Sequence, residues 1–114
     1  MIIHMQDVPD VPSERSPLVM KRAINRDAHS EDISVTWARI HGHHTRMVTH
    51  ASDRVYYIIS GRATFELDGQ TPADVSAGDL VFIRRGTPYV FDGEMDYLVL
   101  NGPAFAPGDD NHLE

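Results

Sequence analysis

Apolar and polar residues alternate over short stretches of this chain, a pattern typical of half-buried β-strands. No stretch combines a sustained helical period with capping residues, so no helix is predicted. Short strands separated by frequent turns are typical of a sandwich or a barrel. Strands are predicted at Pro17–Ile24, Ile33–Ile40, Arg46–His50, Val55–Ile59, Ala63–Leu67, Leu80–Ile83, Tyr89–Phe91 and Met95–Leu100.

Turns that contain glycine separate these strands. They are predicted at Ser60–Arg62, Asp68–Gly69, Ala77–Asp79 and Arg85–Pro88. Asp68–Gly69 is a strong hairpin signal, because both central residues of a type I′ turn need a positive φ.

The length of 114 residues corresponds to one domain that can bury a core without disulfides or a structural metal. Residues 1–17 are rich in Pro, Asp and Ser and are predicted to form an N-terminal arm. The barrel is expected over 18–103, and the Pro- and Gly-rich residues 104–114 are expected to be a C-terminal tail. We therefore expect a single domain.

Composition and charge exclude several classes of protein. The absence of cysteine excludes disulfides, a thiolate nucleophile and thiolate metal sites. The net charge of −7 argues against binding of nucleic acid, whose phosphates need a basic surface. No apolar run approaches the roughly 20 residues that span a membrane, and the N-terminus lacks the pattern of a signal peptide. A cytoplasmic protein with no membrane partner is expected.

The spacing of glycines adds a specific resemblance. The cupin superfamily carries the motifs G-(X)5-H-X-H-(X)3,4-E-(X)6-G and G-(X)5-P-X-G-(X)2-H-(X)3-N. The segments YYIISG and AGDLVFIRRGTPYVF resemble its strand-turn-strand units, and the glycines Gly42, Gly61, Gly78 and Gly86 stand in register with both motifs. The resemblance implies an all-β double-stranded β-helix, the jelly-roll barrel of cupins, with a loop after Gly42. It also implies a homodimer in which the N-terminal arm crosses to the partner.

The residues at the metal-ligand positions depart from the family pattern. Cupins that bind a metal use three histidines and a carboxylate, and the matching positions here hold Val48, His50, Arg54 and Tyr89. Valine has no donor atom, and a permanently protonated arginine repels a cation. Since stable sites need three or four ligands, neither a metal nor another cofactor is expected.

Strand alternation and the family geometry together predict which side chains face the interior. The predicted catalytic residues are His50, which would move a proton, and Arg54 and Tyr89, which would stabilise an oxyanion. The predicted pocket residues are Arg46, Val48, Tyr56, Ile58, Phe91, Tyr97 and Val99. Such a lining suits a small molecule with an anionic or carbonyl end and an apolar or aromatic body.

Three functions stay open at this point. The first is a metal-independent isomerase, cyclase or lyase that acts on a small carbonyl or carboxylate compound. The second is a non-catalytic module that binds or senses such a compound. The third is a metal-dependent cupin that recruits His41, His43 or His44 beside His50. A structural role is the alternative for Arg54, which could pair with Glu66 or another acid.

Overall fold

The computed structural model describes residues 1–114 and contains eight strands and one turn of 3₁₀ helix at Met5–Asp7. The strands are β1 (Val11–Pro12), β2 (Leu18–Ile24), β3 (Ser34–Thr49), β4 (Asp53–Leu67), β5 (Ala73–Ser76), β6 (Leu80–Ile83), β7 (Tyr89–Gly102) and β8 (Asp110–His112). No helix is long and apolar enough to cross a membrane.

The strands form one antiparallel system in the order β1-β2-β3-β7-β4-β5, with β6 beside β4 and β8 beside β3. Strand β4 pairs with β7 along its whole length, with β6 through Arg54–Tyr57 and with β5 through Arg62–Phe65. One long strand therefore serves both halves of the barrel. This architecture confirms the predicted all-β, double-stranded β-helix fold.

Several predicted strands are halves of longer ones. The turn predicted at Ser60–Arg62 is wrong, because β4 continues through it with a β-bulge between Ile58 and Ser60. Gly61 permits this path: its φ is +82°, and a Cβ there would lie 2.1 Å from the carbonyl oxygen of Glu94. The loop expected after Gly42 is also wrong, because β3 is continuous over this position.

Two local predictions are confirmed. Strand β6 has the predicted bounds. The turn after β4 has a positive φ at both Asp68 and Gly69, and the Gln70 N–H closes it on the Leu67 carbonyl. The residue types required by a type I′ hairpin thus identify this turn correctly.

Alternate residues of β3, β4, β6 and β7 fill the barrel. Its largest fully buried side chains are Tyr56, Tyr89, Tyr97, Phe91, Ile40, Ile58 and Ile83. Phe65 and Phe91 stack with their ring centroids 4.4 Å apart, and Tyr56 meets Phe91 edge-on at 5.4 Å. Aromatic pairs in these arrangements add about 0.5–1.5 kcal/mol each to the hydrophobic effect of burial. The barrel interior is therefore a rigid aromatic wall beside the site.

Both terminal segments pack against the barrel. Strand β1 pairs with β2, and Lys21 binds the Val8 carbonyl and the Asp10 carboxylate. The segment predicted to be a C-terminal tail contains β8, which pairs with Met47–Thr49 of β3. Residues 104–114 therefore belong to the structure around the barrel entrance.

Candidate functional site

The barrel contains a cavity of about 60 Å³, here called the inner cavity. Its lining residues are Leu18, Met20, Arg22, Thr36, Ala38, His44, Met47, Arg54, Tyr56, Tyr97, Val99, Asn101, Phe105 and Asp110. A mouth cavity of about 230 Å³ shares seven of them and is also lined by Ser13, Ser16, Gly108 and His112. The arm and the C-terminal segment thus form part of the entrance.

Arg54 organises the polar end of the inner cavity. Its Nε donates to Asn101 Oδ1 at 2.7 Å, its Nη1 to the Tyr89 hydroxyl at 2.8 Å, and its Nη2 to Asp110 Oδ1 at 2.7 Å. Burial alone lowers the pKa of Arg54, but Tyr89, Tyr56 and Asp110 outweigh burial, and the pKa is raised overall. The cavity therefore holds a permanent cation that is fixed on three sides.

Two buried tyrosines extend this network. The hydroxyl oxygens of Tyr56 and Tyr89 lie 2.7 Å apart. Burial raises the pKa of both, although Arg54 acts in the opposite direction on each. Burial also raises the pKa of Tyr97. The three hydroxyls are therefore protonated near neutral pH.

The sulfur of Met47 lies where two donors meet. It is 3.5 Å from Nη1 of Arg54 and accepts from the Tyr89 hydroxyl at 3.2 Å. A thioether is a weak acceptor, whereas a carbonyl or enolate oxygen is a strong one. Since methionine is unbranched and flexible, a ligand oxygen could displace its sulfur from this position.

His44 supplies a base to the same cavity. Its Nδ1 lies 2.9 Å from the Thr45 carbonyl oxygen, which can only accept, so the neutral ring carries its proton on Nδ1. Its Nε2 then bears a lone pair and makes no hydrogen bond within the protein. Burial lowers the pKa of His44 to about 4, and Arg54 acts in the same direction. The ring stacks on Phe91 at a centroid distance of 4.4 Å, which fixes its orientation.

The structure places many of the predicted site residues inside the barrel. Arg54, Tyr56, Ile58, Tyr89, Phe91 and Tyr97 are buried, and Val99 lines the inner cavity. The acidic partner of Arg54 is Asp110, whereas Glu66 pairs with Arg46 at 2.6 Å. The catalytic roles of Arg54 and Tyr89 stay predictions.

The inward direction predicted for Arg46, Val48 and His50 is wrong. A β-bulge lies between His44 and Met47, where two residues of β3 stand opposite one residue of β7. The alternation shifts by one residue there, so His44 and Met47 line the cavity instead. Arg46 is half-exposed, Val48 is buried away from the cavity, and His50 is exposed beside Gly86.

Sequence reasoning missed several residues of the site. His44 was considered only as a metal ligand, while Arg22, Met47, Asn101 and Asp110 were not considered. For Arg22 a signal existed, since it continues the alternation of Leu18 and Met20 in β2. Asp110 carried no signal, because it lies in a short Pro- and Gly-rich segment whose path depends on tertiary packing.

The residues at this site do not fit a cupin metal ion. The Arg54 guanidinium occupies the polar end of the cavity, and no group of three or more His, Asp or Glu side chains is placed to hold a metal. His41 and His43 are exposed, whereas the neighbouring His44 is buried. His41, His43 and His44 therefore do not form a group of ligands with His50, as a metal-dependent site would require.

A larger groove of about 670 Å³ lies elsewhere, on the outer surface. It is lined mainly by polar and charged side chains and by glycine, including Arg62, Asp74, Asp92 and Glu94. It contains neither an aromatic wall nor a buried polar network, both of which the inner cavity has. We therefore assign the candidate site to the inner and mouth cavities.

Comparison with solved structures gives similar folds at low sequence identity. Pac13, described as a nucleoside dehydratase, has a TM-score of 0.86 at 17% identity, covering 100% of this chain and 91% of that chain. Three variants of Pac13 from Streptomyces have also been solved with uridine. In each variant one residue is replaced, either a histidine or one of two tyrosines. The polyketide cyclase RemF from Streptomyces resistomycificus has a TM-score of 0.82 at 18% identity and 100% and 85% coverage. KdgF from Halomonas sp. has a TM-score of 0.80 at 17% identity and 92% and 94% coverage.

Comparison with curated protein sequences gives no significant match. The sequence model of the cupin domain matches residues 39–101, which is more than half of the chain. This segment includes most of β3 and all of β4, β5 and β6. The chain therefore belongs to the cupin family.

Proposed function

We propose that this barrel binds a small carbonyl compound and moves a proton on it without a metal. The observation that carries the proposal is the meeting of two donors, Arg54 Nη1 and the Tyr89 hydroxyl, at the Met47 sulfur. A substrate oxygen in that place would accept from a fixed cation and a neutral hydroxyl. His44 lines the same cavity and is uncharged near neutral pH. An oxyanion site and a base are thus combined in one cavity.

The proposed first step is removal of a proton from the carbon next to the carbonyl. Nε2 of His44 takes the proton, and the electrons of the C–H bond form a carbon–carbon double bond while the oxygen becomes an enolate. Arg54 and Tyr89 donate to that oxygen. If the next carbon carries a hydroxyl, the enolate expels it, and the protonated His44 returns its proton to give water.

The structural neighbours support this class of reaction. Dehydration next to a carbonyl and cyclisation of a polyketone both start well from an enolate, and two neighbours are described as a nucleoside dehydratase and a polyketide cyclase. A histidine and two tyrosines are the residues replaced in the Pac13 variants, and this barrel also buries a histidine and tyrosines. The identities are below 20%, so the specific substrate does not follow from them.

The experiment measures proton exchange, which needs no knowledge of the final product. The protein, treated with a chelator, is incubated in D₂O with a panel of β-hydroxy ketones, β-hydroxy acids and uridine derivatives. Deuterium at the α-carbon is followed by NMR, and loss of water by mass spectrometry. We expect His44→Gln to slow exchange about a hundredfold or more and Tyr89→Phe to slow it by a similar factor. The matched control His41→Gln changes an exposed histidine of the same strand and keeps the wild-type rate.

Three results would contradict the proposal. They are inactivation by the chelator, full activity of His44→Gln with inactive His50→Gln, and absence of exchange across the panel. In the last case, saturable binding of a panel compound by the wild type would favour the alternative of a non-catalytic binding module.

We also propose that the chain forms a homodimer. The resemblance implies a dimer through the N-terminal arm, but β1 of the arm pairs with β2 of its own chain, so we assign the interface to an outer face of the barrel instead. Tyr57, Ile59, Leu80 and Phe82 are exposed there, and Tyr57 and Leu80 are direct partners of β4 and β6. Contiguous exposed apolar residues favour association, and a second copy presents the same face about a twofold axis. Light scattering should give twice the chain mass for the wild type and a smaller mass for Leu80→Glu. A monomeric wild type would contradict this proposal.

A further inference from the structure

Arg22 is a second cation of the site that has no acidic partner. It lies on β2 and lines both the inner and the mouth cavity. Its Nη1 donates to Thr36 Oγ1 at 3.1 Å, and its guanidinium stacks 4.5 Å from the centre of the Phe105 ring. It forms none of the ion pairs of this chain. Most of its five donors are therefore available to a ligand.

The charges around the two cavities do not balance. Asp110 is the only carboxylate that lines either cavity, and it is taken by Arg54. The permanently charged lining residues are thus two cations, Arg22 and Arg54, against one anion. This local excess of positive charge occurs in a chain whose net charge is −7. A ligand with one anionic group would neutralise it.

The sizes of the cavities place such a ligand beside Arg22. The inner cavity, at about 60 Å³, has room for only a few atoms, whereas the mouth cavity measures about 230 Å³. A compound whose carbonyl reaches Arg54 must therefore extend into the mouth, past Arg22. Ser13 and Ser16 line the mouth as well; their oxygens accept backbone N–H bonds, so their hydroxyl protons remain free to donate.

We propose that Arg22 is an anion subsite at the mouth of the barrel, which takes a carboxylate or phosphate group of the same compound whose carbonyl contacts Arg54 and Tyr89. The part that concerns the carbonyl rests on the proposed function, whereas the anion subsite itself does not. It narrows the substrate class to small carbonyl compounds that carry an anionic group. Burial lowers the pKa of Arg22, Asp110 raises it in part and Arg54 lowers it, and a bound anion would act in the same direction as Asp110.

The test uses inorganic phosphate and acetate as probes, titrated at constant ionic strength into the full chain. The NMR signal of the Arg22 Nε–H group reports binding. We expect a saturable shift with at least one of the two anions, and the stronger one identifies the preferred group. Arg22→Met should raise the dissociation constant about tenfold or more, because the loss of one charge-assisted hydrogen bond weakens binding by about that factor. Arg84→Met is the matched control, because Arg84 is exposed and lies outside both cavities.

A second variant guards against a folding defect. Arg22→Lys keeps the charge but loses the planar fork, so it should bind the anion with intermediate affinity and unfold like the wild type. Absence of a saturable shift with both anions, or equal affinity in Arg22→Met and the wild type, would overturn the subsite. Anion binding without proton exchange would leave the subsite standing and reject the catalytic proposal. Proton exchange only on uncharged compounds, without anion binding, would reject the subsite and leave the catalytic proposal standing.

Discussion

Arg54 and Asp110 form an ion pair of 2.7 Å across 56 residues of sequence. The Arg54 side chain is 4% exposed and that of Asp110 is 22% exposed. The pair therefore joins the C-terminal strand β8 to the interior of the barrel. It also sets the net charge of the two cavities, since no other carboxylate lines them.

Asp110→Asn should destabilise the protein by about 1–3 kcal/mol. Removal of one partner leaves the buried Arg54 charge uncompensated, and the partial exposure of Asp110 keeps the loss below that of a fully buried pair. Urea unfolding measures the change. The control Asp10→Asn breaks the pair with Lys21, in which the carboxylate is 63% exposed, and should cost less than about 1 kcal/mol. Equal losses in both variants would show that the Arg54–Asp110 pair stabilises the protein no more than the Asp10–Lys21 pair does.

The same Asp110 variant should bind phosphate more tightly than the wild type.

His44→Gln should flatten the pH dependence of stability in acid. Burial lowers the pKa of His44 to about 4 from the ordinary 6.5. The unfolded chain therefore binds the proton at a higher pH than the folded chain, and stability falls as the pH drops from 6.5 towards 4. This difference corresponds to about 3 kcal/mol. Urea midpoints at a series of pH values check it, and His41→Gln should keep the wild-type slope. A wild-type slope in His44→Gln would mean that His44 is charged or solvated in the folded protein.

The lowered pKa of His44 also predicts the pH profile of turnover. As a general base it must be neutral, so kcat/KM should fall in acid with a midpoint near 4 and not near 6.5. The measurement is the rate of α-proton exchange against pH with one active compound of the panel. An acid limb near the ordinary 6.5 would contradict the assignment of His44 as the base.

His43 should show the opposite dependence. Its Nε2 lies 2.9 Å from the Glu114 carboxylate and its Nδ1 2.9 Å from Asp92 Oδ1. Glu114 and then Asp92 raise the pKa of His43 above 6.5, so its contribution is full below 6.5 and is lost as the pH rises through the raised value. His43→Gln should therefore lower the Tm in mild acid and leave it nearly unchanged in alkaline solution. A loss of Tm that is independent of pH would indicate a packing role instead.

The fold could be predicted from the sequence because its signals are local. The residue types of the Asp68–Gly69 turn and the alternation of apolar residues act over a few positions and predict turns and strands, whereas the barrel is what the resemblance of the glycine spacing to the cupin motifs implies. The site could be predicted only in part. Arg54 and Tyr89 lie on strands whose alternation is regular next to them, so their burial follows from residue parity.

The base and the acidic partner could not be predicted, for two physical reasons. The bulge between His44 and Met47 shifts the alternation of β3, and none of the residues there predicts a bulge. His44 has the same parity as His50, but the loop predicted after Gly42 left it off the strand, whereas the bulge turns His50 away from the cavity. Asp110 meets Arg54 only after β8 pairs with β3, a contact that depends on the complete barrel. Short-range patterns contain no information on such a pairing.

Gly93→Ala should test the close approach of strands on which the barrel depends. A Cβ at Gly93 would lie 2.5 Å from the Cβ of Ala63 and 2.6 Å from the carbonyl oxygen of Arg62. Both contacts are shorter than van der Waals distances, and one of them is with backbone, so β4 and β7 would have to separate. We expect a loss of about 3 kcal/mol or more in urea unfolding. The control Gly69→Ala has a positive φ of 74° but nothing within 4 Å of the new Cβ, so it should cost only about 1–2 kcal/mol of backbone strain. A larger loss for Gly69→Ala than for Gly93→Ala would mean that turn conformation, and not strand separation, limits the stability of this barrel.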